Sequence, residues 1–209
     1  MAETSIRPRF PYHFQDDPEY CGPACLMMLL ESRGLPVSAP PLYPSDLWRE
    51  LGAVPDVSCR AFASSPGAMA AVATARLEGT GLAYEVYPPQ TPEVQVFDDD
   101  AMLRAISSRL SIGPVLVMTR SGGHWVVVFG EEQGGYFVCS PDWHQGHRVQ
   151  EQPHHEGICP ACTGGTGTLY TRESLLQTFT PVFTRTPTTY TGRRLIVAPR
   201  LVPPPPAVT

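Results

Sequence analysis

The chain predicts an α+β fold, and three observations carry that expectation. Its first half is rich in helix formers bounded by cap and stop residues. Its second half carries short runs of β-branched and apolar residues separated by glycine turns, and no internal repeat interrupts this order. At 209 residues the chain is long enough to bury one good core, while two full domains would be a squeeze. The expected organisation is therefore a single domain over residues 1–200, with 143–168 as a Cys/His/Gly-rich insertion and 201–209 as a disordered, Pro-rich tail.

The elements follow in order. Cys21 to Arg33 (CGPACLMMLLESR) reads as a buried helix that stops at Gly34, with Pro36 two residues beyond. Ser45 to Leu51 begins with a plausible cap, and Gly67 to Leu77 is Ala-rich, so two further helices are expected there. Leu82 to Tyr87 is a short candidate strand. Asp98 to Asp100 precede MLRAISSRL, and acidic residues at that end suit a helix dipole; Gly113 ends the segment. The runs PVLVMT, HWVVVFG and Gly135 to Cys139 read as successive antiparallel strands joined by glycine turns. From Trp143 to Thr168 the apolar period is lost. Thr171 to Thr178 is a late candidate helix, and Arg194 to Val197 a closing strand. The tail contains four consecutive prolines and is expected to be extended and mobile.

Composition excludes several classes. The net charge is −5, and no basic stripe is present that would neutralise a run of phosphates, so nucleic acid is not an expected partner. All 15 basic residues are Arg, and the chain contains neither Lys nor Asn. A histidine in a catalytic role must then be oriented by Asp, Glu, Gln or a hydroxyl. The first ten residues lack the apolar core of a signal peptide, and no stretch approaches the roughly 20 apolar residues of a membrane span. A soluble, cytoplasmic protein with no membrane partner is the expectation, with secretion by a system that cleaves no signal as the alternative. Six cysteines without a secretory signal read as reduced thiols or metal ligands rather than a disulfide framework.

One constellation carries chemistry. Cys21 opens the first helix, where unpaired amides and the dipole favour a thiolate. Gln15, six positions earlier, offers a side-chain amide that can donate to an oxyanion beside the Cys21 N–H, and Gly22 is read as leaving the approach open. His124 follows Gly122-Gly123 at the head of an apolar strand, placed to exchange a proton with the thiol and with a leaving group. Cys25, Cys59 and Cys139 read as packing thiols.

In Gln15-x5-Cys21-Gly22-Pro23-Ala24, in Gly113-Pro114-Val115-Leu116-Val117 and in Gly123-His124-Trp125-Val126-Val127-Val128, the chain resembles the papain-like cysteine peptidases that process bacteriocin leaders at double-glycine sites, and their stand-alone relatives. The likeness runs from about Gln15 to about Asp142. It implies a papain-like fold with an N-terminal helical part packed on an antiparallel sheet. It also implies hydrolysis of a peptide or isopeptide bond, a protein or peptide substrate, and no cofactor for catalysis. In that family the third catalytic residue is an Asp directly before a Pro. Here Pro141 is preceded by Ser140, and Asp142 lies two positions after Ser140. Positions 140 and 142 of an extended chain point the same way, so Asp142 is the expected carboxylate, with the Ser140 hydroxyl as its rival.

A second candidate site is Cys159-Pro-Ala-Cys162 with His154 and His155 upstream, spacing that suits a structural zinc; a flexible insertion with incidental thiols is the competing reading. A thioredoxin-like redox pair is disfavoured because no βαβ pattern surrounds it. The chain has no G-x-S-x-G elbow, Walker loop or H-E-x-x-H helix. Three rivals to the peptidase remain. A protease effector or toxin of the same fold would be partnered by an inhibitor or immunity protein. An acyltransferase and a catalytically inactive peptide-binding module complete the set.

Overall fold

Helix α1 (Cys21–Ser32) is apolar all the way round, and a helix without a polar face has to be covered on every side. In the computed structural model, which describes residues 9–13, 15, 20–35, 42–53, 64–87, 98–119, 124–141, 168–178 and 195–203, every α1 residue from Cys21 to Leu30 is buried. The helix stops as its sequence predicts, with Arg33 as C-cap and Gly34 at φ 75°. Helices α2 (Pro44–Ala53) and α3 (Pro66–Arg76) pack against it and against each other. Arg76 Nε donates to Glu50 Oε2 at 3.1 Å and ties the pair together.

α1 lies on a six-stranded antiparallel sheet of β1 (Leu82–Tyr87), β2 (Val115–Thr119), β3 (His124–Glu132), β4 (Gly135–Cys139), β5 (Thr168–Thr171) and β6 (Ile196–Leu201), in the order β1-β6-β2-β3-β4-β5. Alternation along the strands divides the core in two. Leu116, Met118, Trp125, Val127 and Cys139 join the cluster beneath α1 and α3. Val115, Val117, Val126, Val128 and Val138 join the cluster beneath α4 (Asp99–Leu110) and α5 (Arg172–Gln177). The central strands are covered on both faces, so their sequences read as unbroken apolar runs. Each fully buried Val or Leu there contributes roughly 1.5–3 kcal/mol.

Two glycines have identifiable reasons. Gln133 and Gly134, at φ 48° and 77°, make the two-residue β3–β4 turn whose twist matches that of its strands. Gly113 is required because the Arg33 guanidinium occupies the place of a side chain there, with Nη2 donating to the Ile112 carbonyl at 2.7 Å.

The closing strand departs from its expected bounds. It runs from Ile196 to Leu201, and Val202 N–H donates to Gly81 O at 2.9 Å, so residues 201 and 202, expected in the tail, belong to the fold. Pro199 hides this in the sequence, because a proline argues against a strand interior. Its partner on β1 is Tyr84, whose N–H and C=O are both engaged by Thr74 Oγ1, and pairing with β2 ends at Val197. No ladder bond needs the missing N–H. Strand β5 is the element the sequence does not announce, four residues on the sheet edge. The insertion lies outside the described residues except for Thr168, the first residue of β5.

Candidate active site

Three of the helices begin with a side-chain cap: Ser65 before α3, Asp98 before α4 and Thr171 before α5. α1 does not. Tyr20 makes no side-chain cap bond, and the first turn holds no acidic residue. The amides at that end carry the positive end of the helix dipole. Cys21 stands on this turn, 8% exposed.

The next residue corrects one expectation. A Cβ on Gly22 would meet Ser64 Oγ at 2.3 Å, so Gly22 makes room for Ser64 rather than for an incoming substrate. The Ser64 carbonyl in turn accepts the Trp125 indole N–H at 2.8 Å, and Trp125 follows His124. One residue therefore holds the start of α1 and the start of β3 against each other. Nothing in the sequence signals Ser64, because its partners lie 42 and 61 positions away.

His124 is the first residue of β3 and is 4% exposed. Thr119, its partner across the ladder, donates its hydroxyl to the His124 carbonyl at 3.3 Å. The imidazole Nε2 lies 3.0 Å from Ser140 Oγ, just past the end of β4. With Nε2 directed at Ser140, proton exchange with a nucleophile or leaving group falls to Nδ1. A cavity of about 140 Å³ adjoins the pair and is lined also by Leu175, Gln177 and Thr178 at the end of α5.

Gln15 is fixed beside the same strand end, since its N–H donates to the Pro141 carbonyl at 3.1 Å. The side chain is buried, and Oε1 has no hydrogen-bond partner among the described residues. A buried amide left in this state costs about 1–3 kcal/mol unless a ligand completes it. Cys139, in contrast, is an ordinary core thiol whose pKa burial pushes up to about 12, and Cys25 is fully buried on α1. Both fit the packing roles expected of them.

The structure thus brings His124 and Ser140 into contact at the head of β3 and the end of β4, fixes Gln15 beside them through Pro141, and places Cys21 at the head of α1. Asp142, the expected carboxylate, lies outside the described residues, as do Cys59 and the candidate zinc ligands Cys159, Cys162, His154 and His155. Among the described residues no group of His, Cys, Asp and Glu is arranged to hold a metal ion, and no helix is long and apolar enough to cross a membrane.

No family model matches the chain, and no curated protein matches it either. Among solved structures it is similar to a double glycine motif protease from an AMS/PCAT transporter, crystallised in complex with the leader peptide. The TM-score is 0.51 and the identity 13%, over 95% of this chain and 96% of that one. A protein described as a C39-like peptidase from Bacillus anthracis overlays with a TM-score of 0.49 at 13% identity, over 90% of this chain and 94% of that one. The chain has the papain-like α+β fold of the double glycine motif protease, with its helical part packed on the antiparallel sheet as the sequence resemblance implied.

Proposed function

We propose that on this papain-like fold the chain is a cysteine peptidase, with Cys21 as nucleophile, His124 as acid and base, Gln15 as oxyanion donor and Ser140 orienting the imidazole. The observation that carries the reading is the 3.0 Å contact from His124 Nε2 to Ser140 Oγ, at a strand head tied to the uncapped start of α1. Such a contact fixes the ring's orientation, which is part of the task of the third member in a nucleophile–base pair.

In the proposed reaction the Cys21 thiol gives its proton to His124 Nδ1, and Sγ bonds to the carbonyl carbon. The oxyanion accepts hydrogen bonds from the Gln15 side chain and the Cys21 backbone N–H. The C–N bond breaks as His124 returns the proton to the amine. Water, deprotonated by His124, then attacks the thioester and releases the acid. A peptide substrate is favoured because the similar transporter protease was crystallised with its leader peptide. A hydroxyl offsets less imidazolium charge than a carboxylate does, so with Ser140 alone the thiolate–imidazolium pair is weaker than in a Cys-His-Asp site. Asp142 remains the residue proposed to add that charge.

The rate of Cys21 alkylation by iodoacetamide between pH 4 and 9, followed by peptide mass spectrometry, tests the assignment. Cys21 is expected to react well below the ~8.5 of an ordinary thiol, and His124→Ala is expected to abolish that advantage. Ser140→Ala and Asp142→Ala apportion the third role by which of them narrows it. A wild-type Cys21 no more reactive than Cys139 sinks the proposal.

A further inference from the structure

The segment leading to Gln15 is held at both ends by the elements that carry the rest of the site. At its far end the Phe10 ring, 8% exposed, stacks on Phe129 of β3 with ring centroids 4.5 Å apart and planes 14° from parallel. Nearby, His13 Nε2 meets Glu31 Oε2, near the C-terminal end of α1, at 2.6 Å. At the site end the Gln15 N–H is bonded to Pro141 O, directly after Ser140. Phe129 and Pro141 belong to the two arms of the β3–β4 hairpin, which also carries His124 and Ser140.

The lengths match. Val127 pairs with Cys139, so continuing the antiparallel register sets Pro141 beside Trp125, four residues from Phe129. Four strand residues span about 13 Å at ~3.3 Å each. Phe10 and Gln15 are five residues apart, so the chain between them can reach up to about 17 Å. About 4 Å is left over, little more than one residue's length, and Pro11 removes a further backbone freedom next to the stacked ring. The range open to the Gln15 amide along the hairpin is therefore limited by where Phe10 is seated, with the His13–Glu31 contact as a second anchor between them. Oε1 contributes nothing to that setting, since it has no partner.

We infer that Phe10 is a positioning residue for Gln15: its stack on Phe129 draws the N-terminal segment taut along the β3–β4 hairpin and so fixes the oxyanion donor relative to His124. The inference rests on the peptidase reading and deepens it. Phe10 touches no reacting atom, and its influence on the reaction passes only through Gln15.

Two reactions of the same thiol separate this role from a general loss of structure. Alkylation by iodoacetamide displaces iodide at carbon and forms no oxyanion. Acylation by p-nitrophenyl acetate does: Sγ bonds to the carbonyl carbon, the thiol proton passes to His124, and the C–O bond breaks to release p-nitrophenolate. The experiment measures both rates in the full-length protein for wild type, Gln15→Ala, Phe10→Ala, Phe10→Leu and the double variant Phe10→Ala/Gln15→Ala.

Gln15→Ala is expected to slow acylation about a hundredfold, the scale for losing one oxyanion donor. Phe10→Ala is expected to slow acylation about tenfold while its alkylation rate stays within about twofold of wild type, since a donor displaced by an ångström loses part of its effect. The double variant is expected to acylate no more slowly than Gln15→Ala, because the two residues act in series. Phe10→Leu keeps apolar volume without the stack and is expected to fall between wild type and Phe10→Ala, which keeps the test open if alanine unfolds the chain.

Wild-type acylation in both Phe10 variants overturns the inference, as does a parallel fall in acylation and alkylation, or a double variant in which the two losses multiply. A wild-type Cys21 inert to both reagents overturns the peptidase reading and this inference with it. That outcome is distinct from a reactive Cys21 whose Phe10 variants acylate normally, which overturns this inference alone.

Discussion

Cys21 and Cys139 are both buried in the same core cluster, yet they stand in opposite electrostatic surroundings. Cys139, the last residue of β4, is fully covered, and desolvation alone drives its pKa up to about 12. Cys21 stands on the first turn of α1, where Tyr20 makes no side-chain cap bond and the turn itself holds no acidic residue. Burial by itself makes a thiol inert, because the charged form is what loses solvation. A buried thiol reacts only where fixed dipoles or charges replace the lost water, and of these two cysteines Cys21 is the one that occupies such a position.

The hardest way to break the comparison is to give α1 the start that α4 has. There Asp98 accepts from the Ala101 N–H at 2.6 Å, and Asp99 and Asp100 follow. Tyr20→Asp would place a negative charge next to Cys21. It is expected to raise the thiol pKa by about one to two units and to slow alkylation at pH 7 by ten- to a hundredfold. Stability should fall by about 0.5–1.5 kcal/mol through the lost packing of Tyr20 on Trp48, whose centroids are 5.5 Å apart. An unaltered alkylation rate in a folded Tyr20→Asp would mean the helix start does not activate Cys21.

Cys139 sharpens the comparison from the other side. A thiol whose pKa is raised on folding binds its proton more tightly in the native state. Its contribution is therefore fully present below the unfolded pKa of ~8.5 and is lost as pH climbs toward the folded value. Native Cys139 keeps its proton to about pH 12, so stability is expected to fall by about 1–2 kcal/mol between pH 8 and 10. Buried Tyr84, also raised to about 12 from 10.0, extends the fall above pH 10. Urea titrations under reducing conditions across this range measure it, and Cys139→Ala should flatten the segment below pH 10. An equal slope in that variant would assign the loss to other groups.

The same contrast explains what the sequence disclosed. That Cys21 heads a helix and His124 a strand was legible because helix starts and strand heads are local signals. α1 and β4 were legible because caps, glycines and apolar runs bound them. Ser140 was only half legible: the pleat argument that favoured Asp142 applies equally to Ser140, whose hydroxyl lies 3.0 Å from His124 Nε2, while Asp142 lies outside the described residues. Gly22 was misread because the group it accommodates, Ser64, arrives through the tertiary fold. Phe10 carried no signal at all, since its partner is 119 positions away. The end of β6 was hidden by Pro199, whose tolerance depends on Thr74 having already claimed the polar groups of Tyr84.

The smallest expected effect is the control on α4. Its cap closes a helix end that faces no reacting group, so Asp98 acts on stability alone. Asp98→Ala removes the bond to the Ala101 N–H and is expected to lower the unfolding free energy by about 1 kcal/mol. Asp99 and Asp100 remain in the first turn to hold part of the dipole interaction, which keeps the loss modest. The rate of Cys21 alkylation should stay within experimental scatter of wild type. A change in that rate as large as the one expected for Tyr20→Asp would show that α4 and the site are coupled through β3, and that a capped helix end is not merely structural here.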